Sequence, residues 1–233
     1  MAGEPAAVNL KLLGVQIAGM ALVFGAALFL AAGTVAWPAG WAFLLLFFAF
    51  VVALSLWLLR RNPGLLTERM TGIGNAGQKT WDRVFFAVAN VLFLAWLVVM
   101  PLDAVRFGWS QMPAVLRGIG LLLVLASFVL FFLTFRENSY LSPAVRVQTE
   151  RGQTVISSGP YAYVRHPMYA AAAVFIAGTS LLLGSWWGLL VGLAVVLLVA
   201  ARAVQEERTL RAELAGYDAY TARVRYRLVP YVW

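Results

Sequence analysis

The sequence contains no cysteine, one histidine and few charged residues. Without cysteine the chain can form no disulfide, no thiolate zinc site and no iron–sulfur cluster, and it has no cysteine nucleophile. The single histidine, His166, argues against a histidine-rich metal centre, so no metal site is predicted. Charged residues make up 12% of the 233 residues, whereas a soluble domain has about a quarter. Hydrophobic residues make up 62%, which is typical of an integral membrane protein.

Long uncharged runs divide the chain into candidate membrane spans, each near the roughly 20 residues that cross a bilayer. Pro38 and Gly40 separate the first two runs. The sequence GSWWG (184–188) divides the last run into two arms, because its glycines and tryptophans suit a turn at the membrane interface. The sequence therefore predicts an all-α polytopic membrane protein with about six spans: Leu12–Trp37, Trp41–Leu59, Val84–Leu102, Gly118–Phe135 and the two arms of Met168–Ala201.

The distribution of positive charge predicts the orientation of these spans. With six spans both termini lie on one side, and that side carries every Lys and Arg except Arg106 and Arg117. The positive-inside rule then places both termini in the cytoplasm. The net charge of +8 thus indicates anionic membrane lipids as partners rather than nucleic acid. We expect one domain over residues 1–233, with four spans in 1–135 and the remaining spans with their flanking polar segments in 136–233.

Two polar segments flank the predicted hairpin, one before its first arm and one after its second. The outer ends of a hairpin are neighbours, so we expect His166 and Tyr169 to lie opposite Arg202 and Glu206. Arg202 and Glu206 are four residues apart and share one helical face. The sequence predicts a cytoplasmic pocket between these groups, covered by the C-terminal tail.

The residues around this predicted pocket suit a ligand that carries both a negative and a positive charge. Pro167 fits the first position of a helix, and the N–H groups from Met168 onward would be free to bind an anion. Tyr161, Tyr163 and Tyr169 offer aromatic faces to a cation. A zwitterion with an added positive centre, such as S-adenosylmethionine, fits this combination. Interfacial tyrosines and arginines are also common as plain membrane anchors.

Residues 72–77, GIGNAG, match the G-x-G-x-x-G pattern of dinucleotide-binding proteins letter for letter. That function needs a preceding strand, a following helix and an acidic residue about 20 positions later. Here that later position falls in an apolar span near Leu94. We therefore interpret the segment as a loop without a nucleotide role.

The segment GQTVISSGPYAYVRHPMY (152–169) resembles a motif of the isoprenylcysteine carboxyl methyltransferases, membrane enzymes related to the phospholipid N-methyltransferases. EERTL (206–210) and GYDAYTARVRYRLVP (216–230) extend the resemblance over about 136–233, which it implies is the catalytic region. It implies S-adenosylmethionine as cofactor, a lipidic or prenyl-linked acceptor and, from the compact bacterial form, an inner-membrane location. Arg202 matches the catalytic arginine that engages the acceptor. The implied cofactor contacts are Gln148, Gln153, Thr154, Val155, Ile156, Tyr161, His166, Pro167, Met168, Tyr169 and Glu206.

The resemblance thus implies a methyltransferase, for which we expect carboxyl O-methylation with Arg202 orienting the acceptor through two parallel hydrogen bonds. Phospholipid amine N-methylation is the alternative, and it needs a base, for which His166 and Glu206 are the candidates. A non-catalytic lipid-binding protein is a third interpretation. A transporter is disfavoured, because the interiors of the apolar runs hold no Asp, Glu, Lys or Arg. The oligomeric state is left open.

Overall fold

A computed structural model describes residues 8–71 and 78–233, and these residues form helices joined by turns and loops, with no strand among them. Residues 72–77, the GIGNAG segment, lie outside the described residues. Each of the six predicted spans corresponds to a helix in the described part of the chain, but the first helix ends at Ala32, before the predicted end at Trp37. The helices are α1 Leu10–Ala32, α2 Pro38–Arg61, α3 Pro63–Thr71, α4 Thr80–Pro101, α5 Ala114–Glu137, α6 Pro167–Leu183, α7 Trp186–Glu213 and α8 Tyr217–Arg223.

Five of these helices are long and apolar enough to cross a membrane, namely α1, α2, α4 with its π-helical extension Leu102–Arg106, α5 and α7. Helix α6 has 17 residues and is a shorter apolar helix. The fold is therefore that of a polytopic helical membrane protein, as the sequence predicts.

The predicted hairpin between α6 and α7 is present and tighter than the sequence indicates. Gly184 ends α6 with φ +83°, a left-handed conformation that glycine adopts without strain. Ser185 then caps α7, because its Oγ accepts the Gly188 N–H at 2.7 Å. The turn thus consists of two residues, and both tryptophans of GSWWG already belong to α7.

Helices α5 and α6 pack so closely that their backbones are in contact at two glycines. A Cβ added to Gly120 would lie 2.4 Å from the Leu182 nitrogen, and one added to Gly178 would lie 2.9 Å from the Val124 nitrogen. Small residues allow this close approach between membrane helices, where van der Waals packing drives association. The contact fixes α6, and with it the residues at the start of α6, relative to α5.

Helix α7 is longer than the predicted span and carries polar residues beyond it. Its 28 residues make a helix of about 42 Å, whereas the hydrocarbon core of a bilayer is about 30 Å thick. The final turns therefore project past the apolar region. They carry Arg202, Glu206 and Glu207 to the same end of the bundle as α3, α8 and the loop between α5 and α6.

Two buried carboxylates mark the ends of α4, which begins before the predicted run starting at Val84. Asp82 and Asp103 are both fully buried. Asp103 accepts hydrogen bonds from the hydroxyls of Ser110 and Ser185, each at 2.5 Å, at the start of α7. Asp103 thus ties the hairpin turn to the end of α4, and Asp82 belongs to the site at the opposite end.

Candidate active site

A cleft opens at the end of the bundle where the α5–α6 loop, the start of α6, the end of α7 and α8 meet. Eleven of the twelve residues that the sequence predicts for the site line this cleft, including Arg202, Glu206 and the run from His166 to Tyr169. Tyr140, Tyr217 and Tyr220 complete much of its aromatic wall. The structure therefore brings together predicted residues that are up to 53 positions apart in the sequence, from Gln153 to Glu206.

Gln148 is the exception among the predicted cofactor contacts. It is fully buried behind the cleft wall, where its Nε2 donates to the Tyr140 carbonyl at 2.7 Å and its Oε1 accepts from Arg151 at 2.6 Å. Its backbone N–H donates to Gln153 Oε1 at 2.8 Å. Every one of these bonds holds the loop together, so the structure gives Gln148 a positioning role in place of the predicted contact.

Two further expectations about the start of α6 are corrected. Pro167 is the first residue of the helix, as predicted. However, the N–H groups of Tyr169 and Ala170 both donate to the His166 carbonyl, at 3.0 and 3.1 Å. Of the amides that follow Pro167, only that of Met168 lacks a backbone partner among the described residues. Tyr163 is 72% exposed and does not line the cleft, so it offers no aromatic face there.

The C-terminal tail is held beside the start of α6 by backbone and side-chain bonds. The N–H groups of Arg165 and His166 donate to the carbonyls of Tyr226 and Arg227, both at 2.9 Å. Arg165 Nη1 also donates to the carbonyl of Val224 at 2.9 Å. These bonds hold the tail against the wall of the cleft that Arg165 and His166 line, although no described residue after Tyr220 lines the cleft itself.

Glu207 is the centre of a buried ionic network and not part of the cleft lining. It is 2% exposed and accepts from Arg165 Nε at 2.6 Å and from Arg227 Nε at 3.1 Å. His166 Nε2 lies 3.3 Å from the same carboxylate. Since a buried carboxylate needs such partners to offset desolvation, Glu207 joins α7, the α6 start and the tail.

Glu206, one residue earlier, faces the cleft and not the buried ionic network. Its carboxylate lines the cleft and accepts a short hydrogen bond of 2.5 Å from the Tyr169 hydroxyl. The His166 ring stacks on Tyr169 with centroids 5.4 Å apart and planes within 6°. Glu206 thus lies on the cleft beside His166 and Tyr169, whereas Glu207 lies in the buried network.

Arg202 is held by a partner that the sequence analysis missed. Its Nε and Nη2 lie 3.0 and 2.9 Å from one oxygen of Asp82, and Nη2 also donates to the Pro143 carbonyl at 2.5 Å. The guanidinium sits 4.6 Å from the Phe85 ring centroid and 4.9 Å from that of Phe86. One edge of Arg202 is therefore occupied. The expected pair of parallel bonds from Arg202 to an acceptor does not fit this arrangement, because only Nη1 lacks a partner among the described residues.

Asp82 is itself fixed from both sides. Its second oxygen accepts from Gln78 Nε2 at 3.0 Å and from the Val145 N–H at 3.1 Å. Asp82 is the only acidic residue between Glu68 and Asp103, and it stands in the first turn of a membrane helix. That isolation is the signal by which sequence reasoning could have found it.

A comparison with known families assigns this region. The sequence model described as phospholipid methyltransferase (PEMT) matches residues 116–215. Over these 100 of its 233 residues the chain is similar to this family of membrane methyltransferases. The matched region includes the cleft-lining loop, α6 and all of α7, whereas Asp82 and α8 lie outside it. A search of curated proteins found no match.

The methyltransferase family implies S-adenosylmethionine, and the cleft of this chain fits such a group. The Tyr217 hydroxyl is buried at the cleft and has no hydrogen-bond partner among the described residues. Burial raises the pKa of Tyr217 and of Tyr161 well above the ordinary value, so both stay neutral. An orphaned donor, the Glu206 carboxylate and several aromatic faces together suit a ligand that carries hydroxyls and positive charge.

Proposed function

We propose that the protein transfers a methyl group from S-adenosylmethionine to a lipidic or prenyl-linked acceptor at the cytoplasmic face of the membrane. The observation that carries the proposal is the meeting of Tyr169, Glu206 and Arg202 where the cleft reaches the apolar spans. A soluble cofactor can reach this point through the cleft, and a lipid can reach it from the bilayer. A methyltransferase that takes its cofactor from water and its acceptor from the bilayer needs a site at the boundary between the two.

Named residues would hold the cofactor in this scheme. Glu206 and the faces of Tyr161 and Tyr169 suit its positive groups, the Met168 amide suits its carboxylate, and the Tyr217 hydroxyl suits a polar group near α8. When bound, the cofactor supplies an activated methyl group on a sulfonium. The protein mainly supplies alignment, which can contribute about 7–11 kcal/mol when two reactants are held in line.

Carboxyl O-methylation is the reaction that the polar groups support best. An ionised carboxylate needs no base, and the two candidate bases of the cleft are already engaged. His166 lies 3.3 Å from Glu207 through Nε2, and Glu206 accepts from Tyr169. Amine N-methylation is the second candidate, favoured by the description of the matched family. In that reaction Glu206 would have to give up its hydrogen bond from Tyr169 and accept a proton from the acceptor amine.

Two measurements test the proposal. Calorimetry on detergent-purified protein should show saturable binding of S-adenosylmethionine, and its absence would reject the function. Membranes that contain the protein should then be incubated with cofactor labelled in the methyl group. Label that mild alkali releases from the lipid fraction as volatile methanol identifies a methyl ester, whereas label that stays non-volatile after alkali identifies an N-methyl group. Cofactor binding without label in any lipid would instead support a non-catalytic lipid-binding protein.

A further inference from the structure

Residues 229–233, which we call the tail turn, present an apolar surface at the cleft end of the bundle. The five residues are Val229, Pro230, Tyr231, Val232 and Trp233, and all of them are exposed. Tyr231 is 89% exposed and Val232 77%. Single exposed apolar residues are ordinary on any protein, whereas a contiguous group of them marks a contact with a protein or a membrane.

The tail turn has a defined backbone that holds these side chains in place. The N–H groups of Val232 and Trp233 both donate to the Val229 carbonyl, at 3.2 and 3.1 Å. Those of Arg227 and Leu228 donate to the backbone oxygen of Trp233, both at 2.9 Å. The Arg227 guanidinium also lies 5.1 Å from the centroid of the Trp233 ring. The apolar surface is therefore a folded feature of the tail.

The length of α6 sets the depth of the tail in the membrane. Helix α6 has 17 residues and is about 26 Å long, whereas the hydrocarbon core of a bilayer is about 30 Å thick. Its far end is the hairpin turn, next to the exposed Trp186 and Trp187, a residue type enriched at membrane interfaces. The start of α6 at Pro167 therefore lies close to the other boundary of the hydrocarbon. The bond from the His166 N–H to the Arg227 carbonyl brings the tail to this boundary.

The packing of Leu228 gives the same depth independently. Leu228 is buried in an apolar cluster that includes Val199 and Ala200 of α7. Val199 lies 13 residues after Trp186, the first residue of α7, which is about 20 Å along the helix. This level is inside the apolar region of the bundle. Because Leu228 directly precedes the tail turn, the turn begins where the hydrocarbon of the bilayer meets the headgroups.

The composition of the tail favours a lipid interface over a protein partner. Tyrosine and tryptophan are the residues enriched at the level of the headgroups. Residues 219–233 also contain Arg223, Arg225 and Arg227 and no acidic residue. Arg223 and Arg225, just before the tail turn in the chain, are exposed. Such a combination of aromatic and basic residues complements a membrane surface with anionic lipids.

We propose that the tail turn inserts into the bilayer interface at the cleft end of the bundle, and that this contact holds the tail against the start of α6. The tail carbonyls that accept from the N–H groups of Arg165 and His166 provide the connection. Both of these residues line the cleft. The bilayer thus supports one wall of the cleft, whichever reaction the cleft performs.

The absence of cysteine from the chain allows a single label to report the depth of the tail turn. Val232→Cys carries a nitroxide in nanodiscs of phosphatidylcholine and phosphatidylglycerol. The control is Ala212→Cys, an exposed position in the last turn of α7, about 39 Å along that helix from Trp186. Electron paramagnetic resonance then measures collisions of each label with oxygen, which concentrates in lipid, and with a nickel chelate, which stays in water.

We expect the ratio of oxygen to nickel collisions to be about threefold or more higher at Val232 than at Ala212, because interfacial segments bury their apolar face about 5–10 Å into the boundary. Hydrogen exchange in the same nanodiscs measures the support of the cleft. Val232→Asp should speed exchange of the Arg165 and His166 amides about fivefold, since a charge opposes insertion, and Ala212→Asp should not. If Val232→Asp does not fold, Val232→Ser gives the same comparison.

Three results would overturn the proposal. A Val232 label as open to nickel as the Ala212 label would place the tail turn in water. A label shielded from both reagents, with spin–spin broadening that disappears on dilution with unlabelled protein, would assign the surface to a contact between two copies of the chain. Unchanged exchange of the Arg165 and His166 amides in Val232→Asp would show that the membrane contact does not support the cleft.

Discussion

The ion pair between Asp82 and Arg202 joins α4 to α7 across 120 positions of sequence. The variant Asp82→Asn is the sharpest test of how much this pair contributes to stability. Asparagine preserves the shape of Asp82 but removes its charge. Asp82 is fully buried and Arg202 is 8% exposed, so the variant would leave a buried guanidinium without its counter-ion. Removal of one partner from a buried pair typically costs about 3–5 kcal/mol. We expect Asp82→Asn to destabilise the protein by this amount.

A double-mutant cycle separates the pair from its surroundings. Arg202→Met leaves the Asp82 carboxylate unpaired and should cost a similar amount, whereas the double variant leaves no uncompensated charge. The double variant should therefore be less destabilised than the sum of the single variants, by about 2–3 kcal/mol. The free energy of unfolding would be measured by denaturant titration in detergent micelles. Additive losses, or an Asp82→Asn variant as stable as the wild type, would refute this account of the pair.

Three further predictions concern the cleft. Arg202→Lys keeps the charge but loses the planar fork, so turnover should fall by about 10–1000-fold while calorimetry shows cofactor affinity little changed. Glu206→Gln should weaken cofactor binding at near-normal stability, whereas Glu207→Gln should lower the free energy of unfolding by about 3 kcal/mol. Equal losses of cofactor affinity and of stability in the two variants would contradict the assigned roles. Tyr217→Phe removes a hydroxyl that has no partner among the described residues, so stability should hold or rise while cofactor affinity falls about 2–12-fold. In the control Tyr220→Phe, loss of the bond from its hydroxyl to the Tyr161 carbonyl should lower stability, and a stability loss in Tyr217→Phe of the same size would refute the orphan-donor interpretation.

Local features of the sequence predict much of this fold. The apolar runs predict the membrane helices because their hydropathy and length are local properties. The GSWWG segment predicts the hairpin because a glycine can end one helix and the next residue can cap another. The periodicity of an α-helix places Glu206 and Glu207 about 100° apart around the helix axis. The sequence could therefore assign only one of them to the pocket.

The tertiary structure decided which charges are compensated and therefore which are available to a ligand. Asp82 occupies one edge of Arg202, although nothing in the spacing of the two residues couples them. Gln148 turns into its own loop, where it bonds to the Tyr140 carbonyl and to Arg151. Such pairings depend on which helix ends meet at one pole of the bundle. They are set by long-range packing, such as the backbone contact at Gly120, and no local pattern in the sequence records them.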